Sequence, residues 1–520
     1  MNTKALSMAV VLSLATTGVF AADQAKDSKL ASYQAKALAT AQQTVAAKIA
    51  DDAAIPTQVS LNLPRTIDLA LQNNHSVKSA QWTYEAAKAG VSQAAAAKNP
   101  SVGYGYNAEK TSKHVSSNGE RNTGVNRLLK DMAEKVGLDM NDYASGNNDN
   151  GGGNTTKSFA HKFSVTVPIY SAARDAAVEA ARYTREGKGA ALEAQYQTSK
   201  LQAAKDYYGL IMNRNKVDIA QQSVRDYDAH LTNVNQQYAV GIVAKSDVLA
   251  SKTSLAEAQT NLVSTKNAAD IAESTLNKYI GLPVATKVET ADRELGYAPY
   301  NVTLEQARAY AMLHRAELVE AAMAVKQAEE NVNKAKAGHL PSVDGSLSKS
   351  WGGDSWSGTG DSNSWTIGAG VTWSIWDGGA TNESIKVQKA NLEAAKEANL
   401  EQIDTVALQV HQAYLDMKAA EQTINSTRVA VEQGQENFRI ATLRYRAGVG
   451  INLDVLDAET KLSTARNDYV DALYNYNIAV ATLEQAMGVP VDTPIGGGAA
   501  IVANSNAPQA LANMVTNETK

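Results

Sequence analysis

The sequence contains no cysteine, which excludes structural disulfides, thiolate metal sites and lipid attachment at an N-terminal cysteine. It also lacks an excess of basic residues. The formal net charge is −5, so no basic face is available for nucleic acid. Proline and aromatic residues are scarce, at 10 residues and 6%, whereas 44% of the chain is hydrophobic. This balance favours long, alanine-rich helices over a series of ordinary domains.

The N-terminal segment predicts export from the cytoplasm. An apolar run over residues 5–20 follows a short basic start and ends at small residues. This pattern is typical of a secretory signal peptide, predicted here over residues 1–21. The run is too short for a membrane-spanning helix, and no later run in the sequence approaches one.

An internal repeat determines the predicted organisation of the chain. The segment 238–283 realigns without a gap on 445–490, and both copies carry a Tyr-x-x-Gly turn followed by Asp-Val-Leu. The predicted divisions are an N-terminal extension (22–62), a first repeat (63–283), an irregular connection (284–300), a second repeat (301–490) and a C-terminal tail (491–520).

Apolar side chains spaced at strict sevens predict coiled-coil helices in both repeats, because this spacing holds one side of a helix against its partners. An ordinary bundle core is the alternative that such a pattern alone favours. The stretch from Gly378 to Tyr445 has no proline, and at ~1.5 Å per residue it predicts roughly 100 Å of helix. The seam residues are Tyr196, Ala203, Leu210, Val217, Val224, Leu231 and Tyr238 in the first repeat, and Ile403, Val410, Met417, Ile424, Val431, Phe438 and Tyr445 in the second.

Each repeat also contains segments of period two, which predict hairpins of membrane length at about 101–170 and 342–376. Large apolar residues alternate there with Thr, Ser, Gly and Lys, and the Asn/Gly-rich connection 107–158 is interpreted as an external loop. His161 interrupts the apolar face and is expected near its outer rim. The core of a soluble sheet is the alternative for the tryptophans. The predicted membrane-interface aromatics are Phe159, Trp351, Trp365 and Trp373.

Four strands of membrane length cannot form a closed barrel within one chain. Open strand edges do not occur in lipid, and the smallest membrane barrels have eight strands. Two copies of the chain supply eight strands and three supply twelve, and only twelve leave room for a passage. The sequence therefore predicts a barrel shared among copies, with three copies favoured.

The signal peptide, the duplicated helix–strand–strand–helix halves and the repeated turn motif together resemble the TolC outer-membrane efflux family over residues 63–490. The resemblance implies a mixed α and β membrane fold, with a long coiled-coil α-barrel joined to a shared twelve-stranded transmembrane β-barrel. It implies a homotrimer that spans the outer membrane and extends into the periplasm. It further implies a passive duct without a cofactor, which a periplasmic adaptor protein joins to an inner-membrane transporter.

The resemblance also implies roles for residues of the repeated motif. The turns at Gly241 and Gly448 correspond to the tips of the helical hairpins, which dock the adaptor. Asp454 and Asp457 correspond to residues that line a periplasmic constriction. Helix capping is the alternative for Asp454, whereas Asp457 has Ala250 as its repeat counterpart, so capping does not require it.

Closure of the tip is implied for Tyr445 and Asp247. The best-known member of the family has a basic residue two positions after the second turn glycine, where this chain has Gly450. Either Arg444 or Arg446 therefore substitutes for that residue, or closure depends on packing.

No catalytic motif of the serine-hydrolase, metalloprotease or phosphate-binding kind occurs, and the seven histidines show no metal-ligand spacing. We interpret the histidines as isolated polar residues on helix faces and the protein as a non-enzyme.

A structural coiled-coil spacer or filament of the envelope is the alternative function, and the alternating hairpins argue against it. A periplasmic adaptor is a second alternative, disfavoured by the duplicated hairpin. The exported substrate, and the choice between efflux and protein secretion, stay open.

Overall fold

The computed structural model describes residues 27–53, 58–113, 131, 132, 135, 154–353 and 362–510. The predicted signal peptide, most of the predicted external loop and the end of the C-terminal tail lie outside these residues. In chain order the helices are α1 (Asp27–Ala53), α2 (Leu63–Asn73), α3 (His75–Ala96), α4 (Ala172–Ala239), α5 (Lys245–Ile280), α6 (Leu304–His314), α7 (Ala316–Lys336), α8 (Ala380–Arg446), α9 (Asn452–Met487) and α10 (Gly498–Ala503). The strands are β1 (Gln58–Leu61), β2 (Ser101–Lys113), β3 (Asn154–Tyr170), β4 (Lys287–Thr290), β5 (Ser342–Gly353) and β6 (Ser362–Thr372).

The described chain is mostly helical with some strands, as the sequence predicts. Helix α4 contains 68 residues and α8 contains 67. The proline-free stretch in the second repeat forms one uninterrupted helix from Ala380 to Arg446, which confirms the predicted long helix with its start two residues later than Gly378. Its seam residues Val410, Met417, Ile424 and Tyr445 are all at most 4% exposed.

The chain divides into two compact units, and α4 and α8 contribute residues to both. The first unit comprises Met1–Lys78, Tyr196–Tyr310 and Val410–Lys520. The second comprises Ser79–Gln195 and Ala311–Gln409. Among the described residues, no helix is both long enough and apolar enough to cross a membrane.

The core of the first unit includes fully buried Tyr207, Leu276, Leu483 and Met487. The hydroxyl of Tyr207 donates to Asp292 Oδ2 at 2.8 Å, and that of Tyr476 donates to the Ala298 carbonyl at 2.7 Å. These bonds fix the segment that joins the two repeats against the helices.

The connection at 284–300 differs from the irregular segment that the sequence predicts. It contains β4, which pairs in parallel with β1 from the N-terminal extension, in the register Gln58 to Lys287. The start of the C-terminal tail also contacts the helices, because Glu484 Oε1 accepts from the amides of Gly496 and Gly498 at 3.0 and 2.8 Å. The β1–β4 pairing joins segments more than 200 residues apart, which a local pattern does not reveal.

The second unit contains an antiparallel sheet of four strands in the order β2-β3-β5-β6. The strands β2 and β3 extend further into the predicted external loop than the alternation suggests. At the other end β6 stops at Thr372. Trp373 therefore lies just beyond the strand, and its Nε1 donates to the His339 carbonyl at 3.0 Å.

Candidate functional site

Two turns of the same form join the long helices of the first unit. Gly241, between α4 and α5, has a φ of +77°, and Gly448, between α8 and α9, has a φ of +73°. This left-handed backbone favours glycine. In each turn the glycine amide donates to the carbonyl of the tyrosine three residues earlier, Tyr238 or Tyr445, at 3.0 Å. The two positions for which adaptor docking is predicted thus have matching local structure.

Both turns carry large aliphatic side chains in solvent. Val240 and Ile242 beside the first glycine are 71% and 67% exposed, and Val449 and Ile451 beside the second are 68% and 60% exposed. Clustered exposed apolar groups mark surfaces that bind other proteins or membranes. Each turn therefore presents an apolar surface.

The aspartates Asp247 and Asp454 occupy the third position of α5 and of α9. The N-cap residues are Ala244 and Ile451, and neither makes a side-chain cap. Neither aspartate is therefore an N-cap residue, although both lie in the first turn, where the helix dipole favours negative charge. Asp454 is exposed.

Asp457 is also exposed but has a partner on its own helix. Its Oδ2 atom accepts a hydrogen bond from Lys461 Nζ at 2.7 Å, one turn further along α9. The lysine offsets the field of this carboxylate within one copy of the chain.

The tyrosine predicted to close the tip is buried, at 3% exposed, within a cluster that contains Val234, Val248 and Val455. Its hydroxyl has no hydrogen-bond partner among the described residues. Burial raises the pKa of Tyr445, and the nearby Asp247 carboxylate raises it further. The structure thus brings Tyr445 and Asp247 close together, in a position governed by packing.

A polar network that the sequence did not reveal lies against this tyrosine. The His230 ring is 5.0 Å from the Tyr445 ring between centroids, and its Nε2 atom hydrogen-bonds to Asn452 Oδ1 at 2.6 Å. Asn452 Nδ2 donates in turn to the Asp247 carbonyl at 3.2 Å, and Ser251 Oγ lies 3.2 Å from Asn452 Oδ1. The network therefore connects the helix pair of one repeat with that of the other.

His230 is only 4% exposed, so its interpretation as an isolated residue on a helix face was wrong. Burial lowers its pKa, the hydrogen bond to Asn452 opposes this shift, and the charge of Arg446 adds to it. The available signal was its position one residue before the seam residue Leu231, where a polar side chain is close to the helix interface.

The structure gives a physical reason for glycine at position 450. A Cβ atom there would lie 3.0 Å from the Tyr445 amide nitrogen and 3.2 Å from Arg444 Cβ. A basic side chain would crowd this turn. Among the described residues, neither Arg444 nor Arg446 forms an ion pair, and both are exposed. Within one copy, packing and the His230–Asn452 bond therefore hold this region.

A second unexpected group is Glu459 on α9, at 1% exposed. Its carboxyl oxygens have no hydrogen-bond partner of normal geometry among the described residues. Burial, and then the nearby Asp226, raise the pKa of Glu459 to about 7, whereas Ser223 and Arg466 act in the opposite direction. The signal in the sequence was an acid four residues after the seam residue Val455, which lies on the same helix face.

The sheet of the second unit has one apolar face and one polar face. Its apolar face is exposed, with Val102, Trp365, Ile367 and Val371 between 66% and 77% exposed. The opposite face carries small and polar residues: Ser101, Gly103, Gly105, Ser164, Thr166, Asp344, Ser346, Ser348, Thr366 and Gly368. Of the predicted interface aromatics, Phe159, Trp351 and Trp365 lie near the ends of the strands that are far from the helices, and Trp373 lies at the helical end.

His161 lies within an aromatic row across this face. Tyr106, His161 and Trp351 are directly opposite one another on β2, β3 and β5. The His161 ring centroid is 4.8 Å from that of Tyr106 and 5.2 Å from that of Trp351. Among the described residues no cluster of acidic or histidine side chains is arranged to hold a metal ion.

Comparisons with known proteins agree with this architecture. A family model described as outer membrane efflux protein matches residues 66–282 and 308–489. The chain is 25% identical over 384 residues to the outer membrane protein TolC of Escherichia coli, covering 70% of this chain and 76% of that protein. It is 23% identical over 307 residues to the alkaline protease secretion protein AprF of Pseudomonas aeruginosa, covering 57% of this chain and 62% of AprF. The crystal structure of the outer membrane protein VceC from Vibrio cholerae superposes with a TM-score of 0.63 at 19% identity, covering 82% of this chain and 96% of VceC.

Proposed function

Because this chain belongs to the outer membrane efflux protein family, whose members are non-enzymatic transport proteins of the TolC type, we propose that it is the passive exit duct of a tripartite efflux or type I secretion system. The duct would span the outer membrane and extend into the periplasm. A periplasmic adaptor would join it to an inner-membrane transporter that supplies the energy.

The observation that carries this proposal is the four-stranded sheet with its exposed apolar face. Aromatic residues lie near both ends of the strands, with Trp351 on one side and Trp373 on the other. The nine steps from Ser342 to Trp351 correspond to ~30 Å of strand at ~3.3 Å rise per residue. Strands of membrane barrels are tilted, so their height along the membrane normal is shorter than their length. For this strand the height is close to the roughly 25 Å of the apolar band of a membrane barrel. Lipid is the solvent that suits such a face.

The edges of the same sheet support an assembly of several copies. Among the described residues, strands β2 and β6 lie at the two edges of the sheet, and each pairs with one neighbouring strand. Unpaired backbone groups do not occur in lipid, so these edges would pair with the edges of other copies. Three copies would close a twelve-stranded barrel.

A second apolar stripe on α8 supports an assembly of several copies independently of the sheet. Leu408, Leu415, Val429 and Leu443 are spaced at multiples of seven and are 47% to 56% exposed. They lie apart from the buried seam that contains Val410 and Met417. The intervening heptad positions hold Gln422 and Glu436, so the stripe is interrupted. Exposed apolar side chains at heptad spacing still favour a partner helix, which we propose comes from the neighbouring copy in a periplasmic α-barrel.

The turns at Gly241 and Gly448 are the proposed docking positions for the adaptor. Their exposed aliphatic side chains would be covered by the adaptor's own apolar tip. Tyr445, Asp247 and the His230–Asn452 bond would keep the helices packed before docking. Closure would depend on this packing, because Arg444 and Arg446 form no ion pair among the described residues. Adaptor binding would favour a second arrangement in which these contacts are separated.

Asp454 and Asp457 are the proposed periplasmic constriction. Three copies would bring together six carboxylates, which would attract cations and repel anions. The Lys461 ammonium 2.7 Å from Asp457 would weaken this selectivity, so Asp454 would contribute the larger share.

The alternative of a structural coiled-coil spacer has less support. The heptads of α4 and α8 suit a spacer equally well, but a spacer has no use for an exposed apolar sheet face. A freely water-soluble rod would nevertheless favour it over a channel.

Single-channel conductance in planar bilayers tests the proposal. We expect small, cation-preferring openings from the full chain, and larger, less selective openings from the Asp454→Ala, Asp457→Ala double variant. Lys461→Ala should increase cation preference, because it leaves Asp457 unpaired.

The matched control is Asp468→Ala, an exposed aspartate about three turns further along the same helix, which should leave selectivity unchanged. If the double variant also conducts like the original protein, the channel proposal survives and the constriction proposal fails. Absence of conductance from every variant despite confirmed membrane insertion would contradict the channel itself.

A further inference from the structure

A pair of lysines faces one another across β2 and β3, beyond the aromatic row. Lys110 is directly opposite Lys157 in the antiparallel register, and Tyr106 is opposite His161. The even-numbered residues of β2 share one face, so both lysines point to the apolar side of the sheet. Directly opposed side chains have Cβ atoms about 5 Å apart. Two exposed ammonium groups can therefore reach the same bound atom.

A third lysine lies on the same face nearer the helices. Lys349 is opposite Phe163 on one side and Trp365 on the other, which places a charge within the apolar band. Its Nζ atom lies over the Trp351 ring, 6.0 Å from the centroid, so the side chain extends towards the aromatic row. Long basic side chains extend in this way to bring their charge to a membrane surface.

These lysines have no compensating charge in the part of the chain that the structure describes. None of Lys110, Lys157 and Lys349 has a carboxylate within ion-pair distance. Glu109 is adjacent to Lys110 in sequence but faces the other side of the sheet, where it accepts from Thr111 at 3.1 Å. Like charges directly opposite one another destabilise a sheet, so this pair has an energetic cost that an anion would offset.

The position of the pair indicates the chemistry of that anion. The helices join the strands at the opposite end of the sheet, so Lys110 and Lys157 lie at the end that would face outward in the proposed duct. They are four residues beyond the aromatic row, ~13 Å along the strand. Aromatic rows mark the boundary between acyl chains and headgroups. The lysine pair would therefore lie at the depth of lipid headgroups.

We propose that Lys110 and Lys157 form a binding site for the phosphate group of a lipid in the outer leaflet, with the Lys349 ammonium and the rings of Tyr106, His161 and Trp351 supporting the same lipid below. The headgroup phosphate accepts hydrogen bonds from both ammonium groups of the pair, and the acyl chains lie along the apolar face. This inference depends on the proposed membrane function.

Binding of fluorescent diphosphorylated lipid A to the purified full-length protein in detergent tests the site. Each lysine near an anionic lipid contributes about a five-fold change in affinity. We expect Lys110→Gln, Lys157→Gln to weaken binding by more than tenfold, and further replacement of Lys349 by Gln to weaken it again. Lipid A with its phosphates removed should bind the original protein no better than it binds the double variant.

The matched control is Lys162→Gln, because Lys162 lies on β3 but faces the other side of the sheet. Equal loss in this control would overturn the assigned location, and unchanged affinity in the double variant would overturn the site. Displacement of the lipid by millimolar inorganic phosphate would indicate a site for free anions and contradict the lipid assignment. Conductance measured on the same preparations separates this inference from the proposed function, because lipid binding without conductance would contradict only the channel.

Discussion

Replacing Glu459 by glutamine should stabilise the protein in a pH-dependent way. The carboxyl is 1% exposed and lacks a normal hydrogen bond among the described residues, so its charged form is poorly solvated. Its pKa is about 7 in the folded chain, compared with an ordinary value of 4.5. Each pKa unit corresponds to about 1.36 kcal/mol, so the ionised carboxylate lowers the free energy of unfolding by about 3 kcal/mol. That value is an upper limit, since residual burial in the unfolded chain reduces it.

The direction of the effect follows from proton binding. Between pH 4.5 and about 7 the folded chain holds the Glu459 proton, whereas the unfolded chain releases it. Stability therefore falls as pH rises through this window and stays low above it. Glutamine has no proton to lose, so the advantage of the variant should be smallest near pH 5 and reach its full value by pH 8. Any cost of burying the amide does not vary with pH and cancels in the comparison.

Thermal unfolding in one detergent, measured from pH 5 to pH 8, provides the test. The midpoint of Glu459→Gln should exceed that of the original protein by a few degrees at pH 8 and by little at pH 5. Glu436→Gln is the control, because Glu436 is exposed on α8 and paired with Arg439. A difference between Glu459→Gln and the original protein that is constant across pH, or that shrinks as pH rises, would refute the reasoning.

Two further predictions concern the tip and the assembly. Asn452→Leu should lower the free energy of unfolding by about 1–3 kcal/mol, because it leaves the buried His230 ring without its hydrogen-bond partner. Asn452→Asp keeps the acceptor oxygen, so it should lower this free energy by less. Denaturant unfolding of both variants measures the difference. Leu415→Glu should prevent trimer formation while the helix content stays unchanged, since Leu415 is 52% exposed in one copy on the proposed intersubunit stripe. Light scattering and circular dichroism check this, with Leu415→Met as the control, and a trimeric Leu415→Glu variant would contradict the placement of the stripe.

Features that depend on local periodicity were accessible from the sequence. The long helix of the second repeat follows from strict sevens without a proline, and its buried seam lies where the sevens place it. Most residues of the alternating segments lie within the strands of the four-stranded sheet, although Trp373 lies just beyond β6. These patterns are readable because burial of one face repeats every few residues along a single element.

Features that join distant segments were not accessible. The connection between the repeats appeared irregular because β4 is only four residues long, and its partner β1 lies more than 200 residues earlier. His230 and Asn452 are 222 residues apart. The sequence around either residue does not indicate contact with the other, so the hydrogen bond between them depends on how the helices pack.

The sequence by itself determined the duplicated organisation, the long helices, the two-faced strands and the resemblance to the outer membrane efflux family, since each of these is encoded in spacing along the chain. Only the tertiary structure decided how the two copies of the repeat differ. Tyr238 and Tyr445 occupy the same position of the repeated motif, yet Tyr238 is 45% exposed and Tyr445 is 3% exposed. The reason is that burial depends on which helices pack against a side chain, and in the part of the chain that the structure describes Tyr445 packs against Val234, Val248, Val455 and the His230 ring.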